Sequence, residues 1–388
     1  MTADLAEALV WVAAGSLETQ QLAVPDPGPG ALLLRVEANG VCGTDLHLLS
    51  ESPPYPTVLG HEIVGTIVSF GPGAKALDSA SEQVAVGDRV ALFPWIPCGS
   101  CWACHRFGPA AATCSNGFVY GIPFELTGAG DQSRHSSRAD SYPWFTGGFG
   151  QYLYVYPGTY FWRVPEDMPT EIAALLDPLA VAVRTVDMAR TATATWDEVL
   201  TADAVAVVQG AGPVGLLTAI ALRQAGVGKI LIVGAPPRPL KAARAVGADD
   251  VLDISGLGAA ERLARVLSHT KGRGADLVVD CTNQPAALSE ALSMVRRLGT
   301  VIEVGNMVNT GQTIDVDPAV DICQKNVRLL GMSANPPRSY TEAMALLSRF
   351  NHIPFNQIIS HCFPQREAVQ ALGRLHDPDV VKVILCER

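Results

Sequence analysis

At 388 residues the chain is longer than one hydrophobic core usually organises, so two domains of roughly 150 to 200 residues are expected. Apolar residues make up 48% and charged ones 17%, which excludes extensive disorder, and a formal charge of -10 without a basic run excludes a nucleic-acid partner. No stretch reaches the roughly 18 apolar residues of a membrane span and the opening MTADLAEALVWVAAG lacks a signal peptide's basic flank, so a cytoplasmic protein without a membrane partner is expected.

From 8 to 90 the chain is dominated by short β-like runs, ALVWV, ALLLRVEA, EIVGTIVSF and DRVAL, separated by Pro, Gly and Asp turns. That pattern predicts a mostly antiparallel, barrel-like domain. Within it, NGVCGTDLHLLSES and VLGHEIVG gather Cys42, Thr44, Asp45, His47, His61 and Glu62 into one short span. A thiolate and an imidazole suit a soft metal, and a catalytic zinc would need a third protein ligand and an open position. Asp177, interrupting the apolar ALLDPLAVAV, is a candidate for that third ligand and equally a candidate helix cap.

Residues 91 to 150 are rich in Gly, Pro and Cys with weak periodicity. Four of the nine cysteines, Cys98, Cys101, Cys104 and Cys114, follow C-x2-C-x2-C-x9-C spacing. In a reducing compartment such clustering points to metal rather than disulfides, and four thiolates form the closed tetrahedral set of a structural zinc; an iron-sulfur site is the rival. The mixed segment that follows places Phe118, Tyr120, Trp144 and Phe145 either around a substrate pocket or in packing beneath the cysteine loop.

From 201 strands and helices alternate: AVAVVQ, KILIVG, VLDI, ADLVVDCT and TVIEVG are separated by helical stretches such as RPLKAARAVG, ERLARVLSHT and AALSEALSMVRRLG. This predicts a parallel sheet covered on both faces. Gly210, Gly212 and Gly215, with Pro213 and Val214 between them, form G-x-G-x-x-G between the first strand and its helix, the setting of a dinucleotide pyrophosphate site. The second strand ends at Gly234 where an acid would hold ribose hydroxyls, and there is no Asp or Glu from 204 to 248. Arg238 is the one basic residue of that loop. NAD is the preferred cofactor and NADP the alternative, with Arg238 as the candidate phosphate partner.

In order along the chain, GVCGTDLH, GHEIVG, CGSCWAC, GGFGQYLYV, DPLAVAV and GAGPVG together give a specific match. The sequence resembles the zinc-dependent medium-chain dehydrogenase/reductase family, which includes alcohol, sorbitol and threonine dehydrogenases. The resemblance implies an α/β protein: a GroES-like distorted β-barrel catalytic domain over 1–180, a doubly wound Rossmann nucleotide-binding domain over 181–332, and a return to the catalytic domain over 333–388. It implies two zinc ions per subunit, one catalytic and one structural, and a homodimer or homotetramer.

On the same resemblance Cys42 and His61 are catalytic zinc ligands. Asp177 stands where relatives place a glutamate or a cysteine, with Glu62 as the competing carboxylate behind the metal. Asp45 would orient His61, Thr44 would hydrogen-bond the substrate oxygen, and His47 would pass the proton to solvent. Lys382, in VVKVIL, would lie near the cofactor phosphates. Cys114 comes two residues later than the family spacing, implying a locally enlarged loop. The implied reaction is hydride transfer between a small alcohol, or its aldehyde or ketone, and a nicotinamide cofactor. Double-bond reduction, a lyase using a transient hydride, and a non-catalytic nucleotide-binding protein are the alternatives.

Overall fold

A computed structural model describes residues 4–108, 113–123, 145–190, 198–235, 237–307, 309 and 311–387, and the side chains of Pro237 and Arg238 are outside that description. The N-terminal runs fold as expected into curved sheets. The larger one orders Phe161–Arg163, Arg89–Leu92, Glu62–Phe70, Leu32–Val41, Lys382–Cys386 and Ile359–Pro364, with Tyr152–Val155 also paired to Leu32–Val41. The last two strands come from the far end of the chain. Lys382–Cys386 runs antiparallel to Leu32–Val41 and parallel to Ile359–Pro364, so the C-terminal segment completes the N-terminal sheet. A smaller sheet pairs Leu5–Ala13 with the polar strand Ser16–Ala23. The sequence pattern did not reveal Ser16–Ala23, because an edge strand exposed on one side carries little hydrophobic signal.

The second half forms a six-stranded, wholly parallel sheet in the order Asp250–Asp253, Lys229–Gly234, Val205–Gln209, Ala275–Asp280, Val295–Glu303, Arg328–Gly331. Its β-branched strands are buried on both faces. Ala206 and Val208 pack on one side with Leu216, Leu217 and Ile220 of the helix Pro213–Gln224, while Val205 and Val207 pack on the other with Val278 and Leu292. The period-two alternation thus serves two cores. One boundary differs from expectation: the helix in AALSEALSMVRRLG stops at Met294, and Val295–Glu303 is strand. Val295 pairs with Ala275 of the neighbouring strand, and this pairing overrides the helical continuation.

The helix Leu176–Arg190 joins the two halves and packs with both Pro213–Gln224 and Pro337–Leu347. No described helix is long and apolar enough to cross a membrane.

Candidate active site

Cys42 precedes the helix Gly43–Ser50, whose short span the sequence pattern did not separate from a loop. The cap is reciprocal: the Cys42 N–H donates to Asp45 Oδ2 at 2.9 Å and the Asp45 N–H donates to the Cys42 carbonyl at 3.1 Å. This holds the thiol at the helix start and turns the fully buried Asp45 towards His61, whose Nδ1 lies 3.5 Å from Asp45 Oδ1. Burial works against the imidazolium, but the charge and hydrogen bonding of Asp45, helped by Cys42, raise the His61 pKa well above its ordinary value.

Gly40 faces Glu62 across the paired strands, and a Cβ at Gly40 would stand 1.9 Å from Glu62 Oε2. The glycine leaves the space in which the carboxylate lies. Gly60, at φ +94°, makes the turn that brings His61 in, and a side chain there would also meet Phe149 at 2.7 Å. Cys42, His61 and Glu62 consequently offer a sulfur, an imidazole nitrogen and a carboxylate oxygen within 4.8 Å of one another. A soft, a borderline and a hard donor with room for a fourth position fit a catalytic zinc.

Asp177 is not in that group. Its Oδ1 accepts a hydrogen bond from the buried Tyr340 hydroxyl, which holds the short side chain back; the expectation of Asp177 as a ligand is corrected to Glu62 within the group and Asp177 beyond it. Asp177 still bears on the site as a negative charge felt by Glu62. Tyr340 stacks on Trp162 with rings 5.5 Å apart and meets Phe93 edge-on. Nothing in the spacing of SYTEAMALLSRF distinguishes this tyrosine from ordinary core.

Lys382 is also corrected. Its ammonium is buried, donates to the Val41 carbonyl at 2.9 Å and lies 2.6 Å from Glu62 Oε2, so it has no free face for a cofactor phosphate. Desolvation opposes the charge, but Glu62 and Cys42 more than offset it and the lysine pKa is raised.

A cleft of about 790 Å³ runs from Cys42, Thr44 and His47 on one wall to Gly210, Gly212 and Pro213 on the other. The Cys42 thiol donates to Thr44 Oγ1 at 3.8 Å, and His47 is exposed. Gly210 takes φ +98°, as the tight turn requires. A Cβ on Gly212 would meet nothing within 4 Å, leaving the helix N-terminus open to the cleft, whereas one on Gly215 would strike the Gly210 carbonyl at 2.0 Å. The three glycines thus divide the work of turning, exposing donors and packing. Val214 and Gly234 also line the cleft, and a Cβ on Gly234 would approach Ala211 to 3.0 Å. The side chain of Arg238 lies outside the described residues.

The four cysteines of the loop also converge, with all sulfurs within 4.8 Å and none in a disulfide. Backbone N–H groups point at them: Cys98 donates to Cys114 Sγ at 3.2 Å and Cys101 to Cys98 Sγ at 3.2 Å. Amide donors from Cys104 and Ser115 pull the Cys101 thiol down to about 5, while burial pushes Cys104 up to about 12. The set fits a closed tetrahedral metal site.

The aromatic segment is packing rather than pocket where it is described. Tyr120 and Phe145 are fully buried, and Tyr120 accepts from the Tyr156 N–H at 2.9 Å, while Phe118 meets Tyr120 edge-on. Trp144 lies outside the described residues.

Comparison with known proteins shows the family and the fold. The pattern of the alcohol dehydrogenase GroES-like domain matches residues 28–166, and that of the zinc-binding dehydrogenase matches residues 213–349. A 5-exo-hydroxycamphor dehydrogenase from Pseudomonas putida is 29% identical over 98% of both chains. A probable alcohol dehydrogenase from Mycobacterium tuberculosis is 32% identical over 92% of this chain and 90% of its own. Among solved structures, an alcohol dehydrogenase from Thermotoga maritima superposes with a TM-score of 0.85 at 26% identity, covering 98% of this chain and 99% of that one. A putative zinc-binding dehydrogenase from Sinorhizobium meliloti, bound to NADP, gives 0.80 at 26% identity over 98% and 99%.

Proposed function

Since the chain belongs to the zinc-dependent medium-chain dehydrogenase/reductase family, an oxidoreductase family using a nicotinamide cofactor, we propose that it oxidises a primary or secondary alcohol, or reduces the matching carbonyl, at the Cys42–His61–Glu62 centre. One observation carries this reading: a single cleft places Cys42, Thr44 and His47 opposite the glycine turn. When bound, zinc lowers the pKa of the substrate oxygen and the nicotinamide exchanges hydride.

The rest is the work of the chain. Cys42, His61 and Glu62 would hold the metal, and Asp45, facing His61 Nδ1 at 3.5 Å, would orient the ring so that Nε2 serves as the ligand atom. Thr44 hydrogen-bonds the substrate oxygen and passes its proton towards His47, whose exposed imidazole delivers it to solvent; in the carbonyl direction the proton returns by the same route. The amides at Gly212 receive the pyrophosphate. The four-cysteine loop holds a second, structural zinc. NAD is the principal cofactor, but no carboxylate at Gly234 repels a 2′-phosphate, so NADP is accepted too. We assign residues 1–180 and 333–388 to the catalytic unit and 181–332 to the nucleotide unit. The protein works in the cytoplasm as a homodimer or homotetramer.

The test is absorbance at 340 nm with a panel of alcohols and carbonyls and both cofactors. Cys42→Ala abolishes turnover while the circular dichroism spectrum is retained, and Thr44→Val lowers kcat by about 10²-fold or more with dinucleotide affinity unchanged. Full turnover by Cys42→Ala defeats the ligand assignment.

A further inference from the structure

At the C-terminal edge of the parallel sheet, three neighbouring strands end in polar side chains at one register position. Gln209 pairs with Asp280, and Asp280 pairs with Glu303. In-register neighbours on parallel strands stand about 4.8 Å apart and point to the same face, so the carboxyl groups of Asp280 and Glu303 are side by side. Asp280 is fully buried.

Each carboxyl group uses one oxygen to shape a loop of the cofactor cleft. Asp280 Oδ1 accepts the Thr282 N–H at 2.8 Å and its hydroxyl at 2.7 Å. Glu303 Oε1 accepts the N–H groups of Gly305 and Asn306, both at 2.9 Å, and the Asn306 side-chain amide at 3.1 Å. Thr282, Gly305 and Asn306 all line the cleft, and the two loops touch so closely that a Cβ on Gly305 would stand 1.7 Å from the Thr282 carbonyl. The other oxygens, Asp280 Oδ2 and Glu303 Oε2, are buried without a hydrogen-bond partner. Two neighbouring buried acceptors without a donor are costly as anions, and one proton between them satisfies both.

Among the described residues no Lys, Arg or His bonds either carboxyl group. Arg262, which also lines the cleft, is committed to Glu290, and Arg184 donates to the carbonyls of Ser333 and Ala334. The strand Val205–Gln209 contributes the neutral Gln209, and Arg328–Gly331 contributes Gly331 opposite Glu303. The neighbouring Cys281 thiol, next to Asp280 in sequence, is kept protonated by burial. Burial and Glu303 push the Asp280 carboxyl up to about 7, as a shared proton demands.

We propose that Asp280 and Glu303 share one proton and, as a hydrogen-bonded pair, hold the Thr282 and Gly305–Asn306 loops in the shape that receives the dinucleotide. They are positioning residues, and losing the proton leaves two adjacent buried anions that push the loops apart. The role rests on the reading of this cleft as the cofactor site.

The experiment is titration of the full-length protein with NAD from about pH 6 to about pH 9, alone and as Glu303→Gln and Asp280→Asn. If only the protonated pair receives NAD, the apparent Kd of the unsubstituted protein rises roughly tenfold between about pH 7 and about pH 8.5. Either amide supplies a permanent N–H in place of the shared proton, so both variants hold their affinity across that range. Identical pH profiles for all three proteins overturn the proposal. Should one variant not fold, the other decides. If NAD binds at no pH, it is the reading of the cleft that fails, and the infrared band of the protonated carboxyl then judges the pair: a band that persists to about pH 7 and is lost in Asp280→Asn upholds the shared proton, and its absence overturns it.

Discussion

Lys382 and Glu62 form an ion pair 2.6 Å long, with side chains only 3% and 2% exposed, directly behind the thiol and imidazole of the metal centre. If Glu62 serves as a zinc ligand as proposed, the lysine and the metal compete for the same carboxylate. Replacing the lysine leaves Glu62 buried and uncompensated, which for a broken buried pair costs about 3 to 5 kcal/mol. Lys382→Met is therefore expected to lose that much stability in chelated protein and to regain most of it on zinc addition, since the metal then supplies the missing cation. Urea melts with and without zinc measure it, and equal losses in both states would contradict the competition.

Gly234 ends the second strand of the parallel sheet at the position where a carboxylate would discriminate between cofactors. Gly234→Asp should weaken NADP binding by about tenfold or more, close to 1.4 kcal/mol, relative to its effect on NAD. The close approach to Ala211 predicts that some NAD affinity is lost as well. Fluorescence titration with both reduced cofactors reports the ratio, which should move towards NAD.

Cys101 is the cysteine whose thiolate the loop favours most, with a pKa drawn down to about 5 by backbone amides. Cys101→Ser should remove one metal equivalent per subunit and cost more than about 4 kcal/mol, as losses of bound metal do. Metal analysis beside thermal melting separates this from Cys42→Ala, in which the metal lost is the one turnover needs.

Asp280 sets a pH dependence of stability. Its folded pKa of about 7 lies above the carboxyl's ordinary value of 3.8, so the folded state binds a proton that the unfolded chain releases. The stabilisation from this proton is full below the unfolded value and is lost as pH rises through the folded one, so this site makes unfolding progressively easier from about pH 4 to about pH 7. Asp280→Asn removes that component. Denaturant melts at intervals across the range should show a flatter profile in the variant, and an unchanged slope would show that Asp280 holds no proton.

Much of the molecule was legible in the residues. The period-two runs of the N-terminal half, the β-branched strands after 201 and the glycine turn are local patterns, each set by backbone geometry within a few residues. The cysteine spacing is local in the same sense, because one short loop brings the four sulfurs within 4.8 Å of one another. Cys42 with Asp45, and His61 with Glu62, are near neighbours in sequence, so their clustering was visible from type and spacing, while the roles expected of them came from the family resemblance.

What escaped were partnerships across long separations. Asp177 and Tyr340 are 163 residues apart, and Glu62 and Lys382 are 320 apart. Whether a carboxylate meets a metal, a phenol or an ammonium is decided by which strands and helices pack together. The return of Lys382–Cys386 beside Leu32–Val41 brought the lysine to Glu62, and it does not line the cleft of the glycine turn. Likewise Asp280 and Glu303 read singly as polar strand ends, and only the sheet register made them a pair. The order of residues determined the elements, the metal-binding residue types and the glycine turn, because those follow from short-range sterics and donor chemistry. The tertiary structure alone decided which buried charge answers which, because in a low-dielectric interior that depends on distances of a few ångströms that no spacing along the chain encodes.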